Sequence, residues 1–119
     1  MERTFDLLNW LVGNFGYRAY LEIGCKDDST FSKIDIQEKV GVDPDRGGTL
    51  RMTSDQFFAS NDKTFDLIFV DGLHERYQVL RDVENALKVL RPGRTIVLHD
   101  CDPPTEARQR VPQGTTRGW

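Results

Sequence analysis

Apolar positions in this 119-residue chain fall into short unbroken runs and into stripes at helical spacing. From Phe65 to Asp100 the pattern reads buried strand, acidic turn, amphipathic helix, Pro-Gly stop, buried strand. Leu67, Ile68, Phe69 and Val70 form the kind of run that a strand covered on both faces requires. Val79, Leu80, Val83, Leu87 and Leu90 recur at helical spacing and predict one apolar stripe lying on a sheet. Arg91-Pro92-Gly93 stops that helix, and Thr95–Leu98 starts a second apolar strand. A strand–helix–strand unit of this length is a right-handed crossover joining parallel strands. Each strand ends on an acid, Asp71 and Asp100. Ligands bind outside the carboxyl ends of strands in an open parallel sheet, so both acids are expected on the working edge. Capping of the following turns is the plainer alternative for the pair.

Thr4 is a suitable N-cap for a helix carrying Phe5, Leu8, Leu11, Val12 and Phe15 on one face, with Gly16 ending it. Ala19–Ile23 follows as a strand and runs into Gly24, where a glycine lets the backbone turn sharply and approach a ligand closely. Ser29 or Thr30 then caps a short helix through Phe31 and Ile34. Lys39–Val42 is the next strand and ends on Asp43-Pro44-Asp45. An acid about 20 residues past a glycine turn is placed to accept hydrogen bonds from ribose hydroxyls. Leu50–Met52 reads as a brief edge strand, and Thr53 or Ser54 caps a helical turn holding Phe57 and Phe58. Beyond Asp100 the periodicity stops, and residues 101–119 are expected as loop or extended tail. The predicted fold is α/β: a doubly wound, Rossmann-like, mostly parallel sheet of five strands in the order 3-2-1-4-5, with helices on both faces. The ligand crevice is expected between Gly24 and Asp71, at the switch point.

Composition narrows the function classes. An apolar share of 38% and a charged share of 29% are those of an ordinary folded domain. Sixteen basic against nineteen acidic residues, net −3, give no electrostatic reason to expect nucleic acid or a membrane surface as partner. No apolar run approaches the roughly 20 residues that span a bilayer, and MERTFDLLNW has no signal-peptide layout. Two cysteines, Cys25 and Cys101, are too few for a disulfide framework, so a cytoplasmic location is expected. Both are expected to be plain thiols.

Four stretches taken together resemble a class I S-adenosylmethionine-dependent methyltransferase: Leu21-Glu22-Ile23-Gly24, Gly41-Val42-Asp43, Phe65 to Gly72, and Leu90-Arg91-Pro92-Gly93. Asp71-Gly72-Leu73-His74 and His99-Asp100 are similar to the small-molecule branch that includes catechol-type O-methyltransferases. The resemblance implies a transferase using S-adenosylmethionine on a small-molecule oxygen or nitrogen. It implies that Gly24 and Cys25 face the methionine part of the cofactor and that Glu22 holds its ammonium through water. Asp43, with Pro44 beside it, would bind the ribose, and Asp55 would reach the adenine amino group. Asp71 and Asp100 would bind a divalent cation such as Mg²⁺, whose charge lowers the pKa of a bound hydroxyl. His74 would accept the substrate proton, with Asp71 beside it at the reacting edge. A solvent-exposed or turn-capping His74 is the plainer alternative, and His99 is expected as a hydrogen-bonded core histidine.

Two departures follow from the same motifs. The first motif continues as Cys25-Lys26-Asp27-Asp28, with one glycine where the family has two or three. Its acids would repel a cofactor carboxylate unless Lys26 or helix N–H groups compensate. The methyltransferase sheet also has seven strands, so residues 1–100 are expected as a cofactor-binding domain truncated after the fifth. That would leave Thr95–Leu98 as an open apolar edge, with self-association across it. An inert methyltransferase-like domain, binding cofactor weakly or not at all, is therefore the alternative function. A nicotinamide enzyme would want G-x-G-x-x-G, which is missing. A phosphorylatable receiver domain would want a lysine after the fifth strand, where this chain has His99-Asp100-Cys101.

Overall fold

The computed structural model describes residues 4–26, 28–72, 76–100 and 106–110, the last five and Gly72, Arg76 and Asp100 by backbone alone. Helix α1 spans Thr4–Phe15 and strand β1 Ala19–Ile23; a 3₁₀ turn at Phe31–Lys33 leads to β2, Glu38–Asp43. Strand β3, Leu50–Arg51, is followed by α2, Ser54–Ser60, and β4, Phe65–Gly72. Helix α3 covers Arg76–Val89, β5 Leu90–Asp100 and β6 Glu106–Arg110. The sheet order is β3-β2-β1-β4-β5-β6. The first five strands are parallel in the expected 3-2-1-4-5 order, and β6 pairs antiparallel to β5.

Alternation along the central strands sends side chains into two cores. Leu21, Ile23, Ile68, Val70, Ile96 and Leu98 pack beneath α2 and α3 on Phe57, Val83 and Ala86. Tyr20, Leu67, Phe69 and Val97 point the other way, onto Leu8 and Leu11 of α1 and Phe31 and Ile34 of the 3₁₀ turn. Period two puts one core on each face, as a parallel sheet requires. Among the described residues no helix is long and apolar enough to cross a membrane.

Local chemistry ends the helices where the sequence indicates. Gly16 stands at φ 65°, and the Tyr17 N–H reaches back to the Val12 carbonyl, closing the left-handed cap on α1. Thr53 opens α2 with a reciprocal box: its hydroxyl accepts from the Gln56 N–H while the Gln56 side chain accepts from the Thr53 N–H. Thr30 precedes the 3₁₀ turn without a side-chain cap.

Several expectations change. Leu80, assigned to the α3 stripe, is 46% exposed, whereas Asp82 and Ala86 of that helix are fully buried. Leu90, placed at the end of the stripe, opens β5 instead, and residues 101–119, expected as loop or extended tail, contain strand β6. Phe15 at the end of α1 is also exposed, stacking on Tyr17 and meeting Trp10 edge-on. The open edge expected at Thr95–Leu98 is corrected: β6 pairs along it from Thr95↔Arg110 to His99↔Glu106. The ground for self-association across that edge is removed, because its ladder groups are paired within the chain. The strand now outermost reads Glu-Ala-Arg-Gln-Arg, a charged sequence of the kind that discourages edge pairing.

A staple at the opposite end of the sheet sets the strand register. Between the pairs Phe65↔Leu90 and Leu67↔Thr95, β4 passes one residue while β5 passes Arg91–Arg94. The bulge brings both arginines onto Asp66, with Arg91 Nη1 at 3.0 Å and Arg94 Nε at 3.2 Å from Oδ1. Asp66 Oδ2 accepts from the backbone N–H groups of Arg18 and Ala19, which start β1. Burial pushes this carboxyl upward, but the two backbone donors and Arg91 outweigh it and hold it below the usual range. Asp66→Ala should destabilise the fold by roughly 1.5–3 kcal/mol, the value of hydrogen bonds to a charged group, in chemical denaturation. An unchanged midpoint would remove the staple from the account.

Candidate functional site

The carboxyl ends of β1, β2 and β4 meet at the switch point, where β1 lies between β2 and β4. Gly24 leaves β1 at φ 87°, and a Cβ there would stand 3.2 Å from the Asp71 Cβ. A side chain at this position would crowd Asp71 in a backbone conformation that glycine alone adopts freely. The expected juxtaposition of Gly24 with Asp71 is therefore present.

Beside it, two loops share one small space. The connection from β2 to β3, residues 44–49, holds no helix and folds back on the loop after β1. Side chains have been removed from one partner to allow this. A Cβ on Gly41 would meet Cys25 Sγ at 2.6 Å and Gly48 Cα at 2.8 Å, and one on Gly47 would meet the Lys26 carbonyl at 2.2 Å. Thus the first motif keeps bulky residues because the facing loop carries the glycines. Thr49 fastens the return, its N–H donating to the Gly41 carbonyl while its hydroxyl accepts from the Gly41 N–H.

Two carboxylates satisfy the backbone donors that this packing would otherwise strand. Asp43 Oδ2 accepts from the Lys26 N–H at 2.8 Å, and Oδ1 accepts from the N–H groups of Asp45 and Arg46. Asp28 Oδ1 accepts from the Gly48 N–H at 2.7 Å. Burial works against ionisation of Asp43, but its backbone donors and the Arg51 charge hold the carboxyl below the usual range. Asp43 lies 5% exposed and lines neither of the two hollows of the cleft, so the residue expected at a ribose is engaged by its own chain.

The hollows lie on either side of the Gly24 turn. The smaller, about 200 Å³, is lined by Ile23, Gly24, Val42, Pro44, Thr53–Asp55 and Gln78. Its polar wall is a network: Gln78 Nε2 donates to Ser54 Oγ, Asp55 Oδ1 and Asp82 Oδ1, and Arg81 pairs with Asp55. The larger, about 300 Å³, has Asp71, His99 and Phe69 on the sheet side, with Lys26 and Arg46 from the two loops. Lys26 Nζ lies 3.2 Å from Asp71 Oδ2. Among the described residues Asp71 Oδ1 and His99 Nδ1 find no hydrogen-bond partner, and both residues line this wall. An unpaired buried polar atom calls for a partner, whether water, ion or ligand.

Below the turn sits Glu22, 1% exposed, whose Oε1 accepts from the Tyr20 hydroxyl at 2.5 Å. Burial, reinforced by the charges of Asp71 and Asp28 and opposed by the Tyr20 hydrogen bond, pushes its carboxyl from 4.5 up to about 8. Burial first, then the charges of Glu22, Asp28 and Asp43, drives the Cys25 thiol far up and leaves it inert.

The sequence-derived candidates therefore separate. Gly24, Pro44 and Asp55 meet at the smaller hollow and Asp71 at the larger, whereas Glu22, Cys25 and Asp43 are interior. His74 and Cys101 lie outside the described residues, and Asp100 is placed by its backbone pairing with Gly72. Among the described residues no group of three or more His, Cys, Asp or Glu could hold a metal ion. The Asp71 carboxylate is paired with the Lys26 ammonium, and the side chain of Asp100, its expected partner at a divalent cation, lies outside the described residues. Arg46 and Gln78 were missed as site residues, and Lys26 was named only as a counter-charge for the first-motif acids. His99, expected as a hydrogen-bonded core histidine, lines the larger hollow with its Nδ1 finding no partner among the described residues. The paired glycines after Asp43 were the one signal that the loop bearing Arg46 folds inward.

A family model described as a methyltransferase domain matches residues 21–101. A search of curated proteins found no match. Among solved structures, the N-methyltransferase NodS from Bradyrhizobium japonicum WM9 is 22% identical with a TM-score of 0.60, the alignment covering 78% of this chain and 63% of that one. An O-methyltransferase from Bacillus cereus in complex with SAH is 21% identical with a TM-score of 0.63, covering 82% and 56%. The O-methyltransferase TomG from Streptomyces achromogenes, in complex with SAM, is 17% identical with a TM-score of 0.60, covering 79% and 53%. The match thus spans less than two thirds of each of these structures.

Two predictions follow from the packing and the buried charges. Gly41→Ala should cost roughly 1–3 kcal/mol from overpacking between the loops, read by denaturant unfolding; a neutral substitution would mean the loops separate freely. Glu22 holds a proton in the fold that the unfolded chain releases, so stability should fall as pH rises from 4.5 to about 8. Asp43 and Asp66 act oppositely: their depressed pKa values stabilise above the ordinary carboxylate value, and that contribution is lost as pH falls through the folded one. Melting temperatures of Glu22→Gln should therefore stay level across the range where the unsubstituted protein declines. Parallel curves would contradict this protonation of Glu22.

Proposed function

The chain belongs to the methyltransferase-domain family, and on that premise we propose that it binds S-adenosylmethionine and transfers the methyl group to a small-molecule oxygen or nitrogen. The observation that carries the proposal is the bare Gly24 turn against Asp71, flanked by two hollows, at the switch point of the sheet. The residues fit such a cofactor: a glycine at positive φ permits close approach, and Asp71, His99 and Lys26 line one cavity beside it. When bound, S-adenosylmethionine supplies an electrophilic methyl carbon on a sulfonium.

The residues divide the work by position. Pro44, the start of α2 and Gln78 enclose the adenosine end in the smaller hollow, with Asp55 at its rim. Asp43 contributes by holding the Lys26 and Arg46 backbone in place rather than by touching the ribose. Glu22, under the turn, supports the methionine end from the interior. Asp71 lines the larger hollow and holds the acceptor amine or hydroxyl beside the methyl group. Its negative charge offsets the positive charge that develops on the acceptor atom until the proton leaves. His74, three residues beyond Asp71 in the sequence, remains the proposed proton acceptor.

A second reading is an inert domain that binds cofactor weakly, favoured by the engagement of Asp43 with backbone N–H groups. Calorimetric titration with S-adenosylhomocysteine separates the two. A saturable isotherm that weakens about tenfold or more in Gly24→Val, a loss of about 1.4 kcal/mol, is expected of the cofactor site. No heat at millimolar ligand would leave the inert reading standing.

A further inference from the structure

Lys26 stands in the left-handed region at φ 55°, a conformation that costs a side-chain-bearing residue free energy. The Asp43 carboxylate holds it there through the Lys26 N–H. The turn lays the side chain into the larger hollow, with Nζ 3.2 Å from Asp71 Oδ2. Neither group is sealed, since the Lys26 side chain is 32% exposed and that of Asp71 14%. An ion pair this wet is weak and exchanges readily with a competing anion.

Among the described residues the neighbouring acids are engaged elsewhere. Glu22 is bonded to Tyr20, Asp28 accepts from Gly48, and Asp43 is surrounded by backbone donors. Arg46 lines the same hollow, so two cations face one carboxylate across it. A ligand bearing its own carboxylate complements that wall, and the amino-acid end of S-adenosylmethionine is such a ligand.

We propose that Lys26 is a two-position counter-ion, paired with Asp71 before the cofactor enters and with the cofactor carboxylate afterwards. The exchange rests on the S-adenosylmethionine reading above, and it leaves both Asp71 oxygens free for the acceptor once the cofactor is seated. Asp71 and the ligand carboxylate thus compete for one ammonium, which couples cofactor arrival to exposure of the acceptor-binding acid.

The competition predicts shifts of opposite sign. Binding of S-adenosylhomocysteine is compared by calorimetry with that of 5′-methylthioadenosine, which keeps the nucleoside and thioether and lacks the carboxylate. Lys26→Met should weaken S-adenosylhomocysteine about tenfold or more, and Asp71→Asn, by freeing the ammonium, should tighten it about threefold or more. In both variants 5′-methylthioadenosine should move by less than about twofold, and the double variant should behave as Lys26→Met alone, the non-additivity expected of a shared partner. Lys26→Arg should keep most of the affinity. Asp71→Asn leaving S-adenosylhomocysteine unchanged or weakened would overturn the proposal, as would Lys26→Met weakening both ligands equally. Should Lys26→Met fail to fold, the sign of the Asp71→Asn shift decides. If the unsubstituted protein binds neither ligand, the cofactor reading itself fails and takes the exchange with it; if it binds both, only the exchange is at stake.

Discussion

A carboxylate buried at the end of β2 governs the cleft. Asp43 gathers backbone N–H groups from Lys26 in one loop and from Asp45 and Arg46 in the other. Two loops packed closely enough to exclude water must satisfy their backbone donors internally. The chain does so with side-chain oxygens, Asp43 on one side and Asp28 on the other. The left-handed turn at Lys26, the inward return of residues 44–49 and the separation of the two hollows all depend on that pairing.

The same region shows how sterics can be shared between facing segments. A first motif with a single glycine would be expected to hold its loop away from its surroundings. Here the clearance comes from Gly41, Gly47 and Gly48 across the gap, where a Cβ would collide with Cys25, Lys26 or Gly41 backbone. Close backbone approach is a property of a pair of loops, so the glycines can sit on either member.

Charge is distributed with similar economy. Glu22, Asp28, Asp43 and Asp71 converge beneath and around the turn, and each is handled differently. Glu22 is pushed toward neutrality by burial, Asp43 is kept ionised by backbone donors, and Asp71 is paired with Lys26. At the far end of the sheet Asp66 is committed to structure, joined to β1 and to the β5 bulge. Carboxylates at the two ends of one strand, Asp66 and Asp71, thus do opposite jobs. One has both oxygens engaged, and the other has an oxygen that finds no partner among the described residues.

The order of the parallel strands, the faces they bury, the Gly16 stop of α1, the Thr53 cap of α2 and the meeting of Gly24 with Asp71 were legible in the sequence. They follow from periodicity and from turn chemistry within a few residues, which local sequence encodes. The Lys26–Asp71 pair, the engagement of Asp43, the exposure of Leu80 and the pairing of Glu106–Arg110 with β5 were not. Each depends on partners far along the chain: Lys26 and Asp71 become neighbours because β1 and β4 are adjacent in space. A side chain's residue type says what bonds it can make; which bonds it does make is decided by the donors and charges that folding places within reach.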